Sequence, residues 1–579
     1  MRVILWHDVA MHIDAVPNRS SRPTYLLRES YREGEQVRKR TLANLSALSD
    51  EQIEAIRAVL AGVAVRPIEA LFETLRSRPH GHVQAVRVAM QRLDLARLIA
   101  ARSSAERDRV CALVAARILG PHSKLATPRW WETTTLPEEF GVEGTDEDDL
   151  YAAMDWLLER QGRIQQKLAA RHLEQGSLAL YDLSSSYFEG QCCPLGKIGH
   201  NRDGKKNKLQ VNYGLLTTRT GCPVAISVYE GNTNDAKTLL PQITQLREEF
   251  GLERLVLVGD RGMISHKAIE EDLRHLQGLA WITALKSGQI RTLIEGGALQ
   301  LGLFDERSLF EFSDPQYPNE RLIACRNPQL AQLRAYKRQQ LLRATEKELG
   351  TVRSMVQNGR LAGKAKIGVR VGRVVNKYKV AKHFELTIEA NRFDFAVRQD
   401  QVAAEAALDG VYVIRSNVPE QQMSASDTVR NYKALADVER AFRSLKTMDL
   451  KIRPIHHRLE ERVRAHIFLC MLAYYVEWHM REAWRELLFA DEQIAAKAHR
   501  DPVAPAQRSA QALKKIAHRT LDDGAPVHRF PTLLQDLSTI VRNTCVTRTA
   551  RAASRPFQMT TTASPAQRRA LQILETIAV

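Results

Sequence analysis

The chain has 579 residues, 44% of them hydrophobic, and 84 Lys and Arg against 67 Asp and Glu, a formal charge of 84 − 67 = +17. That length and apolar content exclude a disordered or fibrous chain and leave room for several domains. The positive excess favours a polyanionic partner, although a basic protein without one would look the same by charge alone.

Seven cysteines with no C-x-x-C pair point to a reducing compartment rather than a disulfide framework. Cys192, Cys193 and His200 fall short of the four regularly spaced ligands of structural zinc. His7, Asp8 and His12 interrupt the apolar start, so no secretory signal is read there, and the apolar run at 467–476 is too short for a bilayer. The expectation is a cytoplasmic protein with no membrane.

Residues 1–22 show no periodicity, and Met11 opens a second plausible start. YLLRES and QVRKRTL predict a β-hairpin carrying Arg28, Arg32, Arg38, Lys39 and Arg40, either a DNA-facing ribbon or a solvated face. Capping patterns at Ser49-x-x-Gln52, Ser103-x-x-Glu106 and Thr145-x-x-Asp148 predict helices over about 43–172, with Trp130 and Trp131 in a loop. At Ser177 the period becomes that of strands. SLALYDLSSSYF carries Asp182; KLQVNYGLLTT and CPVAISVYEG, joined by Arg219-Thr220-Gly221, should pair antiparallel. After a helix over 234–250, the apolar strand ERLVLVGD ends in Asp260, as a buried parallel strand would. A helix from Ser265 and a fifth strand, LAWITAL, follow. A three-strand meander, then helix, strand, helix, strand, is the order of a ribonuclease H-like α/β core: a mixed sheet with flanking helices.

The predicted organisation is a mainly helical N-terminal domain with its hairpin (1–174), a first core part (175–289), an α+β insertion (290–408), a second core part (409–490) and a basic, loop-rich C-terminal region (491–579). The insertion holds a charged helix at about 329–357 and two strand-like pieces, IGVRVGRVV and HFELTIEA. In the second core part, DTVRNYKALADVERAFRSLKTMDLK (427–451) reads as one long helix. Tyr432, Leu435, Glu439, Phe442 and Lys446 share a face, and a carboxylate at its centre with a lysine two turns on makes a poor core stripe.

Two strand-borne aspartates and one helix-borne glutamate are what two-metal phosphoryl transfer needs: oxygen ligands for ions about 3.5–4 Å apart. The segments YDLSSSYFEG, GHNRDGKKNKLQVNYGLL, YEGNTNDAKTL, VLVGDRGMIS and YKALADVERAFRSLK resemble the DDE transposases of bacterial insertion sequences, in the group marked by a Y-x2-R-x3-E-x6-K signature. The resemblance implies that Asp182, Asp260 and Glu439 are the catalytic metal ligands, for Mg²⁺ or Mn²⁺, two ions. It implies cleavage of DNA at the element's inverted repeats and attack of the exposed 3′-OH on target DNA, by a homodimer holding paired ends. Tyr432 and Lys446 fall on signature positions as DNA contacts, and Leu435 stands where the signature has arginine. Arg440 or Arg443 is left to supply that charge, and Lys205, Lys206 and Lys208 are expected on phosphates beside Asp182. A nuclease that cuts without joining, and a catalytically silent repressor, are the alternatives.

Overall fold

The computed structural model describes residues 10–19, 21–63, 72–190, 192–205, 207–305, 307–491, 493, 500–504, 507–547 and 555–578. They fall into two compact units, Met1–Arg78 with Arg542–Thr561, and Pro79–Val541 with Thr562–Val579.

In the first unit β1 (Ala10–Val16), β2 (Thr24–Glu33) and β3 (Gln36–Asn44) form an antiparallel sheet. The expected hairpin is β2–β3, turning at Gly34 with φ +68°. β1 is a strand where no periodicity was read: it pairs along its whole length with β2, and Asp14 on it takes Arg28 at 2.9 Å and Lys39 at 3.1 Å. Arg38 and Arg40 are likewise paired, to Glu33 and Glu29. Helix α1 (Asp50–Leu60) starts at the predicted capping box of Ser49 and Gln52. The helical stretch is then interrupted by β4 (Phe72–Pro79), which joins strands Val541–Thr547 and Phe557–Thr560 in one sheet. A partner more than 460 residues away along the chain leaves no local signal at β4.

The second unit begins with α2 (Gly81–Arg92), α3 (Ala105–Leu119), α4 (Glu147–Leu158) and α5 (Gln161–His172). The N-caps of α3 and α4 lie one residue later than predicted, at Ser104 and Asp146, whose side chains accept from Arg107 N and Asp149 N. Trp130 and Trp131 sit in a short helix, Thr127–Trp131, rather than a loop, and Trp131 is fully buried.

An eight-stranded mixed sheet follows. Its strands are β5 (Leu178–Tyr187), β6 (Gln210–Thr218), β7 (Pro223–Glu230), β8 (Leu255–Val258), β9 (Leu279–Ala284), β10 (Leu309–Phe312), β11 (Arg321–Arg326) and, after a small hairpin of β12 (Phe384–Ile388) and β13 (Phe393–Val397), β14 (Val411–Ser416). The order is β10-β11-β14-β9-β8-β5-β6-β7. β5, β8 and β9 run parallel, and β5-β6-β7 is the predicted antiparallel meander. Gly214 on β6 leaves room for the ring of Tyr181, whose Oη would lie 2.1 Å from a Cβ there.

The stretch between β9 and β14 is not wholly separate from the sheet, since β10 and β11 extend it through β14. The remainder is a helical hairpin, α6 (Pro328–Gln357) and α7 (Lys364–Tyr378), with its own core of Leu349, Val352, Val356, Ile367, Val371 and Val374. IGVRVGRVV is therefore helix, not strand. Its apolar residues at 367, 371, 374 and 375 follow the helical period and pack on α6.

The expected single helix over 427–451 is instead three pieces. These are α8 (Ala425–Lys433), α9 (Leu435–Arg443) and a π-helical turn, Ser444–Met448. The N–H of Ala434 is shared between the carbonyls of Arg430 and Asn431, which closes α8. The apolar α10 (Glu460–Ala483) is buried along most of its length and packs on α3, α4 and β7. Among the described residues no helix is long and apolar enough to cross a membrane.

Candidate active site

Parallel pairing of β5 and β8 sets Leu180 opposite Val258. Asp182 and Asp260 each lie two residues further on, so both carboxylates leave the same end of neighbouring strands. Tyr181 and Leu183 point into the core while Asp182 between them is only partly buried, as the period of a strand requires. Its Oδ1 accepts from Leu183 N at 2.8 Å. Asp260 is held by its own turn: Oδ1 accepts from Gly262 N at 2.9 Å and Met263 N at 2.8 Å. A Cβ at Gly262 would approach that oxygen to 3.3 Å.

Glu439 arrives on α9, which buries Val438, Ala441 and Phe442 and packs on β5, and leaves Glu439 exposed. Phe442 fixes the helix by edge contact with Tyr213 of β6, ring centroids 5.8 Å apart. Asp182, Asp260 and Glu439 then line one cavity of about 580 Å³, with Arg202, Asp203, Asp235, Arg443, Lys446 and Arg453 among its other walls.

The charges of this cavity sort themselves. Arg202 holds both oxygens of Asp235 at 2.6 Å, and Asp203 takes Lys446 at 3.1 Å and Arg453 more closely still. Two of the five acids are thus neutralised inside the chain. Asp182, Asp260 and Glu439 form no ion pair among the described residues. Burial, together with the charges of Asp260 and Glu439, pushes the Asp182 carboxyl up to about 7, against the Leu183 N–H and Arg202, which favour its ionised form. Such a cluster calls for a cation, and its all-oxygen donor set fits a hard one. Among the described residues the three do not close into a trio with every ligand oxygen within 4.8 Å of the others.

Tyr432 stands at the end of α8 beside this cluster; burial first, and then Asp260, Asp182 and Glu439, push its hydroxyl up to about 12. Lys446 lies on the π turn, buried, and its pairing with Asp203 opposes the fall in its pKa that burial causes. Leu435 opens α9 and packs on the core. Of the two candidate replacements for the missing arginine, Arg443 lines the cavity, while Arg440 is exposed and turned to Asp437 at 2.8 Å. Lys205 lies over the Tyr187 ring and Lys208 pairs with Glu189 at 2.9 Å. Lys206 lies outside the described residues.

Sequence reasoning read Arg202 only as one cation of a basic segment, Asp203 not at all, and missed Asp235 and Arg453. The first two sit inside the segment read only for its positive charge, and the R-D-G step within it was the available signal. His200, weighed above with Cys192 and Cys193, lines the carboxylate cavity.

The family description Transposase DDE domain matches residues 196–476, a span that includes Asp260 and Glu439 but begins after Asp182. The IS1634 family transposase, N-terminal domain, matches residues 13–67. No curated protein matches the chain in sequence. A solved piggyBac transposase synaptic complex with hairpin DNA matches with a TM-score of 0.35 and 9% identity over 79% of this chain and 76% of that one, a likeness too distant to bear on the site. With a DDE domain behind an insertion-sequence N-terminal domain, the chain is a DDE transposase of the bacterial insertion-sequence kind, an enzyme that cleaves DNA and transfers its strands.

Proposed function

We propose that this transposase cuts the terminal inverted repeats of its element and joins the freed 3′-OH to target DNA with two Mg²⁺ or Mn²⁺ ions held by Asp182, Asp260 and Glu439. The observation that carries the reading is the convergence of three unneutralised carboxylates in one cavity whose other acids are paired within the chain. Their all-oxygen donor set suits such hard ions. Such ions, when bound, activate the attacking oxygen and stabilise the leaving one.

The chain's own residues do the positioning. Asp260 is locked by the Gly262 and Met263 N–H groups and contributes a fixed ligand, whereas the exposed Glu439 side chain is free to turn inward. Lys446, Arg453 and Arg443 present cations to the phosphates of the DNA end, and Tyr432 contacts phosphate or base beside the scissile bond. Lys205, Lys206 and Lys208 contact phosphates beside Asp182. The core is ribonuclease H-like, the 1–174 segment binds the element's end, and the hairpin of α6 and α7 closes over it. Two copies act together on paired ends, on bacterial DNA in the cytoplasm.

The test is nicking and joining of DNA carrying the element's inverted repeats, with and without Mg²⁺. Asp182→Asn and Glu439→Gln should lose both reactions by about 10³-fold or more while keeping DNA binding. Undiminished cleavage in both variants would overturn the assignment, and cutting without joining in the wild type would leave a nuclease.

A further inference from the structure

A second cluster lies apart from the carboxylates. His172 ends α5, Cys222 sits in the turn before β7, and His479 lies on α10, three elements far apart along the chain. One ligand atom of each falls within 4.8 Å of the other two. Cys222 Sγ is 3.9 Å from His479 Nε2, and the imidazole rings of His172 and His479 are 5.7 Å apart. Cys222 and His479 are buried, and His172 is half-exposed.

We propose that His172, Cys222 and His479 bind one zinc ion. Two imidazole nitrogens and a thiolate are borderline-soft donors, the kind zinc selects and the opposite of the all-oxygen site at Asp182. Ligand atoms of a tetrahedral zinc site lie about 3.3–3.8 Å apart, as bond lengths of about 2.0–2.3 Å require. Closing from within 4.8 Å therefore takes side-chain movements of about 1 Å. Tyr475 Oη lies 3.0 Å from His172 Nε2, and that hydroxyl or water would supply a fourth ligand. Binding releases the Cys222 thiol proton to solvent and involves no change of oxidation state.

The surrounding charges are compatible with one added cation. Arg171 donates to Tyr475 Oη at 3.4 Å, but its guanidinium is also anchored on Leu93 O at 2.8 Å. Glu482, one turn beyond Trp478 on α10, lies on the Cys222 side, paired to Arg485.

A zinc ion here would join the helical segment, the sheet edge and α10. It would also stiffen the turn beneath the catalytic glutamate's helix. Thr218 and Cys222 close that turn through Thr218 N to Cys222 O at 2.9 Å and Cys222 N to Thr218 Oγ1 at 3.2 Å. Gly221 within it, φ +85°, presses on α9: a Cβ there would stand 3.1 Å from Cβ of Asp437, two residues before Glu439. The zinc is a brace and takes no part in the chemistry.

The test uses the full chain, stripped with chelator and titrated with Zn²⁺ and, for its spectrum, Co²⁺. The wild type and Asp260→Asn should each take up one tight equivalent, with a thiolate-to-cobalt charge-transfer band and tetrahedral visible bands. Cys222→Ser and His172→Gln should each weaken that equivalent by about tenfold or more and lose the tetrahedral spectrum. His172→Gln changes a half-exposed residue, so its circular dichroism should remain that of the wild type even where Cys222→Ser folds poorly. Absence of a tight equivalent in the wild type, or an unchanged equivalent and cobalt spectrum in His172→Gln, overturns the proposal.

Discussion

Lys446 donates to Asp203 at 3.1 Å, so the lysine of the catalytic signature is anchored to a loop of its own chain before any DNA is present. Arg453 shares the same carboxylate, which is almost wholly buried. Asp203 thus already compensates two of the cations proposed to meet the phosphates of the DNA end. Asp203→Ala leaves two largely buried cations uncompensated and should cost about 3 kcal/mol in thermal unfolding. Asp203→Asn should cost less and lower end cleavage through misplacement of Lys446. Wild-type stability and cleavage in both variants would mean that the network holds neither.

Asp182 ties stability to pH in the metal-free protein. Its folded pKa, about 7, lies above that of an unfolded aspartate, so the folded chain keeps a proton that the unfolded chain gives up. Stability from this group is therefore greatest below about pH 4, falls as pH rises, and the cost is complete above about 7. Asp182→Asn should stabilise the metal-free protein by about 1–2 kcal/mol at pH 8 and hardly at all at pH 4.5, read as thermal midpoints.

Two histidines, His457 and His466, work in the other direction. His457 is pushed down to about 3 and His466 well below its ordinary value, by burial and by the cations Lys124 and Arg117 beside both. Both are neutral when folded and take up a proton near pH 6.5 when unfolded. Their contribution is thus intact above about 6.5 and is lost as pH falls, by about 1.4 kcal/mol per histidine per pH unit. The unfolding midpoint should drop between pH 7 and 5, and His457→Gln should flatten that slope.

Arg443 and Arg440 should separate cleanly. Arg443 lines the cavity, so Arg443→Ala should slow strand transfer by about tenfold or more, a barrier increase of about 1.4 kcal/mol. Arg440 is largely exposed and paired with Asp437, and Arg440→Ala should leave the rate within twofold, about 0.4 kcal/mol. The reverse ranking in a strand-transfer assay would move the signature's missing charge from Arg443 to Arg440.

The candidate site was legible where local pattern and chemistry coincide. Asp260 ends an apolar run, Asp182 interrupts one, and Glu439 sits in a helical stripe with Tyr432, Leu435 and Phe442. What stayed hidden depends on distant partners. Asp203 reads as one acid within a basic loop until folding places it between Lys446 and Arg453. The valine-rich 367–375 segment looks like a strand by β-branched content, and only the helix it packs against selects the helical period. No proline or glycine marks the break at Ala434, and β4 depends on a strand near the other end of the sequence.

The most direct measurement of the central claim is cleavage of an element end carrying sulfur in place of an oxygen at the scissile phosphate. Sulfur binds Mg²⁺ poorly and the softer Mn²⁺ better. The account predicts that the wild type cuts the sulfur-substituted end slowly in Mg²⁺ and recovers in Mn²⁺, while Asp260→Asn recovers in neither. Equal cleavage of the natural and substituted ends in Mg²⁺, or rescue that survives Asp260→Asn, would contradict it.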